Sequence, residues 1–288
     1  ALKLGNRDFD GHFTPVIDSN SKVTSVVVTA IDISDRAQFE ERLAKEKLYD
    51  NVTGLPNRNL LIEKIINFQE RFQRGITEKG YLFVLAVNRT APLHSALGSA
   101  AMHDMVRQIG DRLTGYFAGD KHIAHIGEYD FGVLSEDINN DDEALEISRE
   151  LQLEFAAPLF LEERQLNITC SIGIARSDMR QENADDWLRE AQTACVSASK
   201  DGGNTERMFH LALASEALSA WQLSEQLKQA ISENTIEAWL QPIVNMETNK
   251  PIGFEALARW EISPGHFIPH NQFIPIAEEY GLIEELGN

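Results

Sequence analysis

An α/β sandwich is the fold class this sequence predicts, and three observations carry it. From residue 50 onward, segments with helical apolar spacing alternate with short apolar runs of strand length. The run YLFVLAV at 81–87 is apolar throughout between Gly80 and Asn88, as a strand covered on both faces should be. Hydrophobic residues make up 43% of the 288, which is ordinary for a packed core, and a stretch of about 160 residues can bury one of its own.

In chain order, residues 12–32 read as two strands around a turn. HFTPVI alternates, DSNSK is a turn cluster, and VTSVVVTAI is rich in β-branched residues. A lone strand pair is marginal, so this is expected to be the end of a domain that begins upstream. ISDRAQFEERLAKEKLYD reads as a charged helix, with Phe39, Leu43 and Leu48 as a narrow stripe suited to a core face or a coiled-coil seam. Leu61, Ile65, Phe68 and Phe72 mark the first helix of the sandwich, and Met102, Val106, Ile109 and Leu113 the second. HIAHIG and FGVL read as strands joined by a tight turn at 127–130. Ala144, Ile147, Leu151 and Phe155 give a third helix, NITCSIGIA a strand, and DWLREAQTACVSAS a fourth helix. SEALSAWQLSEQLKQAISEN is a further helix. Beyond it, IEAWLQPIVN, the turn METNK and IGFEALARWE read as a strand pair, and NQFIPIAEEYGLIEEL as a helix.

Composition narrows the function classes. Lys and Arg number 26 against 45 Asp and Glu, for a formal net charge of −19. Non-specific nucleic-acid binding and anionic membranes both need clustered cations, so neither is expected as a partner. A single nucleotide held through a metal ion is compatible with that charge. Two cysteines, Cys170 and Cys195, supply neither a disulfide framework nor a cysteine-rich zinc site and point to a cytoplasmic compartment. No apolar run approaches the roughly 18 residues of a membrane span, although a parent protein could be anchored to a membrane upstream.

DNVTGLPNR at 50–58 resembles the D-x-L-T-G-L-P-N-R opening of GGDEF domains, the diguanylate cyclases. SIGIA at 171–175 resembles a later strand of that family, and HIGEYDFGVL at 125–134 stands where R-x-GGDEF-x-x-L belongs. Upstream, VVVTAIDISDRAQFEERL is similar to the final strand and exit helix of a PAS domain. Downstream, WLQPIVNMETNKPIGFEALARW with FIPIAEEYGLIEELG resembles the start of an EAL domain, the cyclic di-GMP phosphodiesterase. The resemblance implies a PAS–GGDEF–EAL signalling protein of which this is the middle. PAS strands would occupy 1–35, a signalling helix 36–49, the GGDEF domain 50–210, a linker helix 211–233, and the start of a TIM-type EAL barrel 234–288. The implied GGDEF fold is a central, mainly antiparallel sheet flanked by helices, and the implied assembly a homodimer through the signalling helix.

The same resemblance assigns site positions one by one. LAVNRTAPLHSALGSAAMHD resembles the family's D-x-D-x-F-K-x-I-N-D-x-x-G-H-x-x-G-D. Aligned on Gly98, the two metal carboxylates fall at Ala86 and Asn88, the lysine at Ala91, and the base-contacting Asn and Asp at His94 and His103. In the hairpin only Gly127, Asp130 and Phe131 fit, while Glu128 replaces the second glycine and Tyr129 the metal-binding acid. Ser199 and Gly203 stand at the phosphate-binding cations, and FAGDK at 117–121 lacks the R-x-x-D inhibitory motif. A methyl group cannot bind Mg²⁺, and a neutral amide is a poor carboxylate substitute. No cofactor is therefore expected in the GGDEF site, and the cyclase is expected to be inactive. Asp50, Asn57 and Arg58 are expected to be structural, Asn57 as a helix cap and Arg58 as half of a local ion pair.

The EAL segment departs little from its family. Glu255, read as standing at a strand end, is implied as a ligand of the catalytic Mg²⁺ or Mn²⁺. Gln241 and Arg259 are implied contacts to cyclic di-GMP, since a guanidinium grips phosphate oxygens with forked hydrogen bonds. The rest of that site would lie beyond Asn288. The leading expectation is a regulatory, non-cyclising GGDEF module serving a cyclic di-GMP phosphodiesterase. The alternatives are a non-catalytic cyclic di-GMP receptor and a pseudo-cyclase that senses GTP.

Overall fold

The computed structural model describes residues 2–4, 7–17, 22–35, 39, 45–117, 122–161, 164–177, 180–200 and 202–287. The chain divides into two compact units, Ala1–Phe209 and His210–Asn288. Among the described residues, no helix is long and apolar enough to cross a membrane.

The first unit opens on three antiparallel strands, β1 (Leu2–Leu4), β2 (Arg7–Ile17) and β3 (Val23–Asp32). β2 begins five residues before the alternation in the sequence does, because Phe9 and Asp10 continue the ladder against Asp32 and Ile31 and Arg7 and Asp8 pair with β1. The valines of β3 remain exposed. Most of the expected signalling helix, including Leu43 of its stripe, lies outside the described residues, as do residues 118–121 of the segment read for the inhibitory motif.

The sandwich follows. Helix α1 (Arg58–Gln73) leads into β4 (Tyr81–Val87), α2 (Thr90–Tyr116), and the hairpin β5 (His122–His125) with β6 (Asp130–Ser135). Then come α3 (Asp141–Ala156), the short pair β7 (Leu159–Leu161) and β8 (Arg164–Leu166), β9 (Cys170–Arg176), α4 (Ala184–Lys200) and β10 (Glu206–Met208). The central sheet runs β10-β9-β4-β6-β5, antiparallel at every junction except β10 with β9. The mainly antiparallel sheet flanked by helices is thus the observed fold.

Strand periodicity explains why YLFVLAV had to be apolar throughout. Tyr81, Phe83, Leu85 and Val87 enter a core shared with α2 and α3, while Leu82 and Val84 enter a second core with α1 and α4, where Ala86 also packs. Leu61, Ile65 and Phe68 of α1 are fully covered by that second core, each side chain contributing about 1.5–3 kcal/mol of burial. On the same side, α4 lies so close to β9 that a Cβ at Gly173 would stand 2.1 Å from the Ala191 carbonyl oxygen. Only glycine fits there.

α1 starts where the sequence predicts. The Asn57 side chain accepts from the backbone N–H groups of Asn59 (2.9 Å) and Leu60 (3.2 Å) and so caps the helix. Arg58 does not pair locally; its guanidinium reaches Asp185 in the first turn of α4 at 2.8 Å. The two apolar faces that bury α1 and α4 against one sheet bring those residues together across 127 positions of sequence.

In the second unit, α5 (Leu211–Ser232) packs with α6 (His270–Glu279) around Leu223, Leu227, Trp260 and Phe273. β11 (Ile236–Val244), β12 (Pro251–Ser263) and β13 (His266–Ile268) form an antiparallel sheet. The helix read over 271–286 is two, α6 and α7 (Ile283–Gly287), separated where Gly281 takes φ +70°. Leu240, Ile252 and Phe254 are exposed on this sheet.

Candidate functional site

The end of β4 lies between two neighbours. Ala86 faces Asp130 of β6 on one side and Ser171 of β9 on the other. The Val87 N–H donates to the Tyr129 carbonyl at 3.3 Å, and the Ile126 N–H closes the hairpin on Asp130 O at 2.9 Å. A Cβ at Gly127 would lie 3.2 Å from Asp130 Oδ2, so the turn passes directly over that carboxylate. Phe131 is buried in the core beside α2.

Positions 86 and 129 serve different faces. Ala86 packs into the α1–α4 core, whereas the Tyr129 ring packs against the α2 side. Burial, and then the neighbouring Glu128 that hydrogen-bonds it, raise the Tyr129 phenol above its ordinary range. Burial likewise raises the Asp130 carboxyl, against the opposing attraction of His125. Cys195 lies close to Asp130; burial first, and then that carboxylate's charge, push its thiol up to about 12. Cys170 belongs to the opposite core, so the two thiols are on different faces of the sheet.

Asn88 is engaged in structure. Its Nδ2 donates to Thr169 Oγ1 at 3.1 Å, its Oδ1 accepts the Ser171 hydroxyl at 2.9 Å, and its backbone N–H donates to Thr169 O at 2.9 Å. Gly203 sits against the same amide, since a Cβ there would stand 3.0 Å from Asn88 Nδ2. The Ser199 hydroxyl donates to Cys195 O at 3.1 Å, a bond within its own helix.

Across the hairpin, Gly98 leaves helical geometry (φ 75°, ψ 169°) and breaks α2 into two segments. His94 Nε2 meets Ser99 Oγ across that break at 3.2 Å. His94 and His103 line a cavity of about 310 Å³ together with Asp50, His125, Glu128 and Tyr129. Among the described residues, no group of three or more His, Cys, Asp or Glu side chains is placed to hold a metal ion.

The best-fixed charge in this region is one that the sequence reading treated only as structural. Asp50 Oδ1 accepts from the N–H groups of Val52 (3.1 Å) and Thr53 (2.8 Å) and from the Thr53 hydroxyl (2.8 Å). It also stands 3.0 Å from His125 Nδ1. Burial opposes its ionisation, but the Thr53 bonds and the nearby imidazole outweigh that and hold the carboxyl below the usual carboxylate range. The only sequence signal for His125 is that it aligns with the Arg of R-x-GGDEF.

In the second unit, the register sets Gln241 opposite Glu255 and Glu237 opposite Arg259. Directly paired residues point to one side, so Gln241, Glu255 and Arg259 share a face of the β11–β12 ribbon. The Arg259 guanidinium lies 5.6 Å from the centre of the Trp239 ring and donates to Ala258 O at 3.2 Å. Glu255 is not at a strand end. β12 continues unbroken to Ser263, because its pairing with β11 persists to Trp260 and β13 then takes over.

Comparisons with known proteins give this geometry a context. Residues 47–205 match the family described as "Diguanylate cyclase, GGDEF domain", and residues 224–288 match "EAL domain". The chain is 28% identical over 278 residues to the oxygen sensor protein DosP of Escherichia coli, covering 93% of this chain and 34% of that one. It is 27% identical over 275 residues to MucR of Pseudomonas aeruginosa, named a bifunctional diguanylate cyclase/cyclic di-GMP phosphodiesterase, covering 94% of this chain and 39% of that one. It thus spans between 34% and 39% of the length of these relatives. The coiled coil and GGDEF domain of DgcB from Caulobacter crescentus, solved in complex with c-di-GMP, has a similar fold. The TM-score is 0.55 at 17% identity, over 61% of this chain and 93% of that one.

Proposed function

The chain belongs to the GGDEF family and continues into an EAL segment, and on that premise we propose that it is the non-cyclising, regulatory core of a bacterial cyclic di-GMP signalling protein. The observation that carries this reading is the end of β4. Condensing two GTP molecules needs divalent metal to neutralise the triphosphates, and Mg²⁺ needs several oxygen ligands. The donors present do not fit that ion. Ala86 offers a methyl group, the Asn88 amide is bonded to Thr169 and Ser171, and Tyr129 carries a phenol packed toward the other face. Asp130 is left as a half-buried carboxylate under the turn at Gly127.

In the parent protein, a complete EAL domain would bind cyclic di-GMP and hydrolyse it with Mg²⁺ or Mn²⁺. Gln241, Glu255 and Arg259, together on one face of β11–β12, are the residues of this chain that would serve it, Glu255 toward the metal and the other two toward the dinucleotide. The GGDEF domain then relays signals from an upstream PAS domain through the segment 36–49 and helix α5. The test is direct: purified chain is incubated with GTP and Mg²⁺ and the products are separated by chromatography. No cyclic di-GMP is expected, either from this chain or from the Ala86→Asp/Tyr129→Glu double variant, which still lacks base and phosphate contacts. Product from the unaltered chain would overturn the reading.

A further inference from the structure

His125 joins two parts of the first unit that the sequence keeps 75 residues apart. Its backbone N–H donates to Pro56 O at 2.8 Å, which ties the end of β5 to the turn at 50–57. Its ring does something further. Nδ1 faces the Asp50 carboxylate at 3.0 Å, and Nε2 faces the Glu128 carbonyl oxygen at 3.3 Å in the turn of the hairpin. The imidazole lies against Phe131, with ring centroids 5.1 Å apart, and its side chain is 9% exposed.

Both neighbours of the ring are acceptors. A carbonyl oxygen has no proton to give, and Asp50 is held as the carboxylate by the bonds from Thr53. A neutral imidazole has one N–H and can satisfy one of them, whereas an imidazolium has two and satisfies both. We infer that His125 is a protonation-dependent latch between the turn at 50–57 and the β5–β6 hairpin. Doubly protonated, it holds the hairpin turn to Asp50. On losing one proton it keeps the carboxylate, the stronger acceptor, and releases the Glu128 carbonyl.

Titratable and charged groups face the ring from each element around it. Asp50 faces it from the entry turn, Asp130 and the Glu128 side chain belong to the hairpin, and His94 and His103 of α2 line the same cavity, as does the neutral Tyr129. Imidazole is the side chain that ordinarily changes charge between roughly pH 5 and 8. Loss of one ring proton therefore loosens the hairpin turn, which forms one wall of the cavity, while the entry turn stays tied through Pro56. The proton-dependent link is the one from the ring to the hairpin turn; the ties of the entry turn to the end of β5 persist in both states.

The experiment is amide hydrogen exchange on the full chain at about pH 5.5 and pH 8, corrected for intrinsic rates, read together with nitrogen-detected NMR of the imidazole. Exchange in the hairpin turn at 126–130 should be faster by roughly tenfold at the higher pH, as loss of one charge-assisted hydrogen bond requires. The step should coincide with loss of one of two N–H signals from His125. His125→Arg, permanently charged, should abolish the step, while His94→Gln and His103→Gln should leave it. A turn whose protection does not change with pH in the unaltered chain overturns the inference. So does a step that survives His125→Arg, or one removed by either cavity variant.

Discussion

Ala86→Asp tests the end of β4 by placing a carboxylate where the resemblance aligns a metal-binding one. The new side chain would enter the α1–α4 face directly opposite Asp130. Cross-strand partners are roughly 5 Å apart, and at an effective dielectric near 20 two carboxylates at that distance repel by about 3 kcal/mol. Asp130 already resists ionisation through burial, so the pair is expected to take up a shared proton. The sign follows from linkage. The folded pair binds a proton more tightly than the unfolded chain does, so the penalty is fully present at high pH and fades as pH falls toward the unfolded carboxylate range. Urea denaturation should show a loss of about 3 kcal/mol at pH 7.5 that shrinks to under about 1 kcal/mol near pH 4.5. Millimolar Mg²⁺ should recover little of it, because Asn88 and Tyr129 supply no further anionic oxygen. An unchanged stability at pH 7.5, or full recovery with Mg²⁺, would refute the reasoning.

Three further outcomes follow from the same packing. Asp50→Asn should cost about 1–3 kcal/mol at pH 7 by weakening the Thr53 bonds and the His125 pair. Since the Asp50 carboxyl is held low, its contribution exists above the unfolded value near ~3.9 and is lost as pH falls through the folded one, so variant and parent should converge in acid-denaturation curves. Gly173→Ala should cost about 3 kcal/mol or more, or abolish folding, because the Ala191 carbonyl and the Cys195 N–H both stand 2.1 Å from the added Cβ; thermal melts read it out. Asn57→Ala should cost about 1 kcal/mol by uncapping α1, measured in the same melts.

How much of this was legible in sequence depends on the length scale of each signal. β4 and the four sandwich helices were, because long apolar runs and repeated spacing are local properties of the chain. β10, β13 and the β7–β8 pair were not. Each strand is three residues long, and such strands exist through the partner they find rather than through their own pattern. The same distinction governs the site. The resemblance assigned Ala86, Asn88 and the hairpin to one site; the register sets Ala86 opposite Asp130, while Tyr129 packs on the other face. It had no means of finding that the Asn88 amide is bonded to Thr169 and Ser171, or that Arg58 reaches Asp185. The Asp50–His125 contact was hidden for a further reason: an aspartate in a turn has a sufficient local explanation, and nothing local marks a histidine 75 positions later as its partner.

The most direct test of the account is where a divalent cation goes. Mn²⁺ titrated into isotopically labelled chain, with and without GTP, broadens amide signals near any ion it occupies. A chain with net charge −19 should show diffuse broadening over its exposed acids, with the signals of residues 86–88 and 127–130 no more affected than the rest. Selective broadening centred on Ala86 and Tyr129 at micromolar Mn²⁺ would contradict the account, since it would place a metal where the side chains offer a methyl group and a phenol.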